Sequence, residues 1–144
     1  MSHLERFQKM IAGELPPPPV GDLIGLQFTA IERGHATFEL VAEPRHASPL
    51  GTVHGGILCD LADAAMGCAY ASQLADDESF TTLELKINFL KPVWDGRLVA
   101  DATVIKAGRS VGLAECKVVD RHDSLVAYAT STLVTLRGDA AKGR

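Results

Sequence analysis

The residues best suited to chemistry lie between Thr52 and Ala71. His54 stands before a glycine pair, Gly55-Gly56. Two carboxylates, Asp60 and Asp63, follow in a run of Ile, Leu, Ala, Met and Cys. An unpaired charge among apolar neighbours is costly, so a carboxylate there needs donors close by. The glycine pair opens a helix. The first N–H groups of a helix have no partner inside it, and the helix dipole favours an anion or polarised oxygen at that end. Glycine is only a fair cap, yet it lets a ligand approach the backbone. Such a donor suits a carbonyl oxygen that gains negative charge during acyl transfer, a contribution of roughly 3 kcal/mol. Asp63 lies about two turns further on. Asp60 is one turn nearer the start and about 60° round the axis. Spacing alone leaves open which of the two lines a site.

These residues need a scaffold. The helix is expected from about Gly55 to about Leu74, apolar nearly all round and therefore buried all round. Its small residues let a sheet curl over it. Strands are expected at 26–32 and 36–41, flanking an Arg33-Gly34-His35 hairpin turn. The proline-punctuated loop 43–51 then delivers the chain to the helix. Leu83, Leu85, Ile87 and Phe89 alternate with polar residues, a period of two that signals a strand. This alternation puts Thr82 on the face of Glu84, opposite Leu83. Further strands are expected at 98–105, 111–120 and 125–136, joined by short turns that require antiparallel pairing. The class is α+β: a curved antiparallel sheet of five to six strands wrapped round one long central helix, with a short N-terminal helix. That first helix, residues 2 to 13, carries Leu4, Phe7, Met10 and Ile11 at helical spacing. Pro16 to Pro19 follow as an extended spacer. Residues 1–19 thus read as an appendage lying across the core or a neighbouring subunit. A single domain spans 20–138, and 139–144 read as a flexible tail.

A chain of 144 residues with a net charge of -4 fits one globular core and argues against a general nucleic-acid or membrane-surface binder. No apolar run is long enough to span a bilayer. The charged N-terminus is unlike a secretory signal, so the expected compartment is the cytoplasm. Cys59 and Cys68 would lie about 13 Å apart on one helix, too far to bridge. With Cys116 they read as reduced, apolar thiols. The five histidines show no metal-ligand spacing, and there is no phosphate-binding loop or dinucleotide fingerprint. No metal and no cofactor are expected.

Gly51-Thr52-Val53-His54-Gly55-Gly56, with Leu61-Ala62-Asp63 after it, resembles the hotdog-fold acyl-CoA thioesterases of the phenylacetate-degradation (PaaI) type. The likeness extends to Leu83–Pro92 and to Gly108-Arg109-Ser110-Val111. It implies that Asp63, nine residues after the His, is the nucleophile or general base, and that the Gly55 N–H binds the thioester oxygen. It implies that His54 and Gly56 shape the same end of the site, and that Thr82, beside Thr81, positions water or the carboxylate. It also implies an acyl-CoA substrate and a homodimer with the site at its interface, pairing again into a homotetramer. One position departs: Ser48 stands where the family usually carries Asn or Gln, and its hydroxyl reaches less far, so water or His46 would fill the gap. Lys91, Arg109 and Arg45 are the cations available for CoA phosphates. Two other readings remain beside hydrolysis. One is a hotdog dehydratase acting on a hydroxyacyl thioester, with His54 and Asp63 working together. The other is a module that binds acyl-CoA without cleaving it.

Overall fold

In the computed structural model, which describes residues 1–144, the chain runs α1 (His3–Ile11), α2 (Pro19–Ile24), β1 (Gln27–Glu32), β2 (His35–Ala42), α3 (Gly55–Ala71), β3 (Ser79–Phe89), β4 (Gly96–Ala107), β5 (Val111–Val119) and β6 (Leu125–Leu136). Single 3-10 turns lie at Pro44–His46 and Gly138–Ala141. The six strands form one antiparallel sheet in the order β1-β2-β4-β5-β6-β3. Short turns make consecutive strands neighbours from β4 to β6. β3, which leaves the end of α3, returns to the far side and pairs only with β6. β1 and β3 are therefore the free edges.

The sheet can close on α3 because alanine faces alanine. Ala62, Ala65 and Ala69 of the helix and Ala36, Ala100, Ala102, Ala114, Ala127 and Ala129 of the strands are all buried in one core. Leu40, Leu61, Met66, Leu98, Val118 and Leu133 fill the space between them. Tyr70 passes under β5 at Gly112, where a Cβ would stand 2.3 Å from its ring, and its hydroxyl bonds Thr135 Oγ1 at 2.6 Å. Ser72 closes the helix by donating to the Ala69 carbonyl at 2.6 Å and accepting the Gly34 N–H at 2.8 Å.

Four expectations change. The helix ends at Ala71, not near Leu74. It is not buried all round: Gly56, Asp60 and Asp63 form an exposed stripe at i, i+4 and i+7. Pro19 does not belong to the spacer but opens α2, because proline is tolerated at the first helical position. The strand alternation is also broken. Thr82 pairs with Leu133 and Glu84 with Thr132, leaving Leu83 as an extra residue. One inserted residue reverses the inside–outside phase of the strand, so Thr82 faces the helix. Ser131 Oγ donates to the Glu84 carbonyl at 3.1 Å, and the Glu84 carboxylate accepts from the Thr132 N–H and hydroxyl at 3.1 and 3.0 Å. The bulge is thus hydrogen-bonded rather than a defect.

Candidate active site

The entrance to α3 is fixed from three sides. Ala47 pairs with Val53, the Val53 N–H donates to the Val93 carbonyl at 2.8 Å, and the His54 N–H donates to the His46 carbonyl at 2.8 Å. His54 then takes the N-cap place that a Ser or Asp usually fills. Its backbone is extended, and its Nδ1 accepts the Gly56 N–H at 2.9 Å. This bond places the ring proton of a neutral His54 on Nε2. It also occupies the Gly56 N–H, which is not open to a ligand.

The Gly55 N–H donates to nothing in the chain. The ring of Phe89 lies against this residue, with Cζ 2.8 Å from where a Cβ would stand. A side chain at 55 would have to push the Phe89 ring aside, so the glycine lets that ring lie against the helix start.

Asp63 is exposed, and its Oδ1 accepts from Thr82 Oγ1 at 3.1 Å. Thr82 reaches it only because of the bulge. Thr81, one residue earlier on a regular stretch of strand, projects to the other face of the sheet. Asp60 has no such donor; burial, and then the neighbouring Asp63 charge, push its carboxyl above the usual range. Geometry thus separates two carboxylates that spacing left equivalent. Burial, and then the Asp63 charge, push the Cys68 thiol up to about 12, so it carries no thiolate at neutral pH. Cys59 is raised as well, by burial and then by Asp60 and Asp63. Neither cysteine is an activated nucleophile.

Several other residues are engaged elsewhere. Ser48 builds the tight 48–52 turn: its Oγ accepts the Leu50 N–H at 3.2 Å and meets Thr52 Oγ1 at 3.4 Å. His46 is buried with both ring nitrogens bonded, to the Glu43 N–H at 3.0 Å and the Ile24 carbonyl at 2.7 Å, so it does not replace the missing amide. Arg45 holds Glu43 at 2.7 Å and the Leu23 carbonyl at 2.8 Å. Lys91 is paired with Asp120. Arg109 is exposed, on the β4–β5 turn at the Ser79 end of the sheet. Lys91 lies past the other end of β3, about 35 Å away along the strand. One chain therefore does not gather these two cations at one place. No group of three metal-ligating side chains comes together, and no helix is long and apolar enough to cross a membrane.

Asp63 and Thr82 also line a cavity of about 730 Å³ between α3, the inner side of β1 and β2, and the N-terminal segment. Sequence reasoning laid residues 1–19 across the core or a neighbouring subunit, but not as the lining of a cavity. The signal was Phe7 on the apolar stripe of α1, which meets Phe28 edge-on with ring centres 5.6 Å apart.

The thioesterase superfamily model matches residues 50–127, more than half of the chain and the whole of α3. The 1,4-dihydroxy-2-naphthoyl-CoA hydrolase of Listeria monocytogenes is 29% identical over 112 residues, covering 78% of this chain and 91% of the relative. A solved structure from Ralstonia eutropha JMP134, described as a phenylacetic acid degradation-related protein, is 31% identical with a TM-score of 0.81. That alignment covers 89% of this chain and 98% of the other. The Escherichia coli PaaI protein of the phenylacetic acid degradation operon shares the fold, with a TM-score of 0.83 at 22% identity, over 95% of this chain and 98% of its own. Sequence and architecture agree: the chain belongs to the thioesterase superfamily and is a hotdog-fold thioester hydrolase.

Proposed function

We propose that this protein hydrolyses acyl-CoA thioesters, with Asp63 as the reacting carboxylate and the Gly55 N–H as oxyanion donor. The observation that carries this reading is the Thr82–Asp63 contact. An exposed carboxylate, oriented by a hydroxyl at 3.1 Å, sits at the border of an apolar cavity. As general base, Asp63 takes a proton from the attacking water and passes it to the sulfur as the C–S bond breaks. As nucleophile, it displaces the thiolate to form a mixed anhydride, which water then cleaves, regenerating the carboxylate and supplying the proton the thiolate takes up. The Gly55 N–H holds the oxygen as its charge grows.

These two groups act on one carbonyl only if they come from different chains. Eight residues of helix separate them by about 12 Å along the axis and turn them about 80° apart. The free edge of β3, beside exposed Leu83 and Phe89, is where a second copy would add its own strand. A homodimer built there would bring Gly55 of each copy toward Asp63 of the other, and such dimers would pair into a tetramer. CoA as the thiol is supported by the name of the Listeria relative. The cap works against a dehydratase, because a neutral His54 whose Nδ1 is already accepting presents a donor and not a base.

Asp63→Asn keeps the shape and the acceptor for Thr82 but removes the base. Thiol release from acyl-CoA should fall by about 10² to 10⁴, with an unchanged circular dichroism spectrum. Undiminished release would remove Asp63 from the mechanism. Binding of acyl-CoA by the wild-type protein with no release at all would make it a binding module.

A further inference from the structure

We infer that the N-terminal segment, α1 with the proline run and α2, is the outer wall of the acyl pocket, with Phe7 the residue that selects neutral, apolar acyl groups. The inference rests on the thioesterase reading and extends it to the substrate.

The segment is a strap pinned at both ends. At its start, His3 Nε2 bonds the Glu78 carbonyl at 2.8 Å, and Ser2 and Glu5 close a capping box. At its end, the carbonyls of Leu23 and Ile24 accept from Arg45 and buried His46. The cavity lies beneath the span between these anchors. Phe7 is only half-buried, as are Met10 and the rest of the apolar stripe, and α1 has no buried residue. The stripe roofs a space rather than filling the core.

The prolines suit that position. Pro16, Pro17 and Pro18 line the cavity and carry no backbone N–H, so this stretch of wall presents no unpaired donor to an apolar occupant. An extended proline run also spans about 3.1 Å per residue and resists collapse into the space beneath it.

The cavity runs from this wall to Asp63. Phe7 meets Phe28 edge-on, and Phe28 stacks on Phe38 with ring centres 4.3 Å apart. Phe80 enters from β3, its ring against Gly67 of α3. The charged residues lining the space are Asp63 and Glu14, both acidic. An acyl group whose carbonyl is at Asp63 thus points its tail along phenylalanine rings toward α1. A tail that ends in a second carboxylate loses its hydration and meets like charge, and is rejected.

The test compares wild type with Phe7→Ala and Phe7→Leu on acetyl-, octanoyl- and succinyl-CoA. It also measures calorimetric binding of the non-hydrolysable methyl- and octyl-CoA thioethers. Wild type should favour octanoyl- over succinyl-CoA by about a hundredfold or more. Phe7→Ala should lower the octanoyl-to-acetyl ratio of kcat/KM about tenfold, chiefly through KM, and Phe7→Leu should restore most of it. Octyl thioether binding should weaken in parallel. Equal loss on acetyl and octanoyl substrates, an unchanged ratio, or free acceptance of succinyl-CoA would overturn the inference. If wild type cleaves no acyl-CoA but binds octyl thioether in a Phe7-dependent way, the wall stands and the hydrolytic reading falls. If binding is also independent of Phe7, both fall.

Discussion

Thr82 meets Asp63 because one extra residue, Leu83, shifts the phase of β3. Without the bulge, Thr82 would share the outer face with Glu84, as plain alternation expects. The hydroxyl orients one carboxylate oxygen and leaves the other without a partner in the chain, an arrangement suited to proton transfer. Thr82→Val keeps the β-branched shape and removes the bond. A lost hydrogen bond to a charged group, worth about 1.5 kcal/mol, predicts a roughly tenfold fall in kcat for thiol release. Thr82→Ser should recover most of it, and thermal denaturation should change little in either variant. At this scale the sequence supplied the His-Gly-Gly spacing and the two carboxylates. It left Asp60 and Asp63 equivalent by spacing alone, because the distinguishing partner lies on a strand whose register no local pattern encodes.

Among the elements, the helix and the strands follow directly from composition, and their ends do not. Periodicity marks strand interiors, whereas ends depend on caps and turns held by distant groups. Lys91 illustrates this. It was expected among the cations for CoA, yet it reaches across to Asp120 and fastens the segment after β3 to the β5–β6 turn. The Lys91 ammonium, and then the backbone N–H groups of His122 and Ser124, hold the Asp120 carboxyl down at about 2. A depressed folded-state value contributes stability above the unfolded carboxylate pKa of about 3.9 and loses it as pH falls through the folded value. Asp120→Asn should therefore lower the melting temperature at pH 6, and its gap from wild type should close between about pH 4 and pH 2. A gap that stays constant over that range would remove the linkage.

For the molecule as a whole, the free edge of β3 is the feature that matters most. Leu83 is 62% exposed, Phe89 53% and Leu90 56%, all at or beside a strand with unpaired backbone groups. Exposed apolar edges of this kind invite pairing with another chain. On the proposed dimer, Leu83→Lys puts a charge into the contact and leaves Asp63 and Thr82 in place. Light scattering should then report monomers where wild type gives dimers or tetramers, and thiol release should be lost with the partner's Gly55. A monomeric variant that keeps full activity would show that one chain suffices. The same whole-molecule view turns the N-terminal appendage into a strap over the cavity, a relation between residues 7 and 63 that only the folded chain creates.

The sequence by itself determined the class, the long alanine-rich helix, the antiparallel strands and the glycine pair at the helix start. Each of these is written in local periodicity, side-chain size or a short motif. The resemblance already pointed to Asp63, Thr82 and the Gly55 N–H; the tertiary structure adds the contact between that threonine and that carboxylate, the His54 cap that occupies the Gly56 N–H, and the pairing of the cations. It also decided that α1 roofs a cavity. These depend on contacts between residues far apart in the chain, where a one-residue shift in register moves a hydroxyl from one face of a sheet to the other.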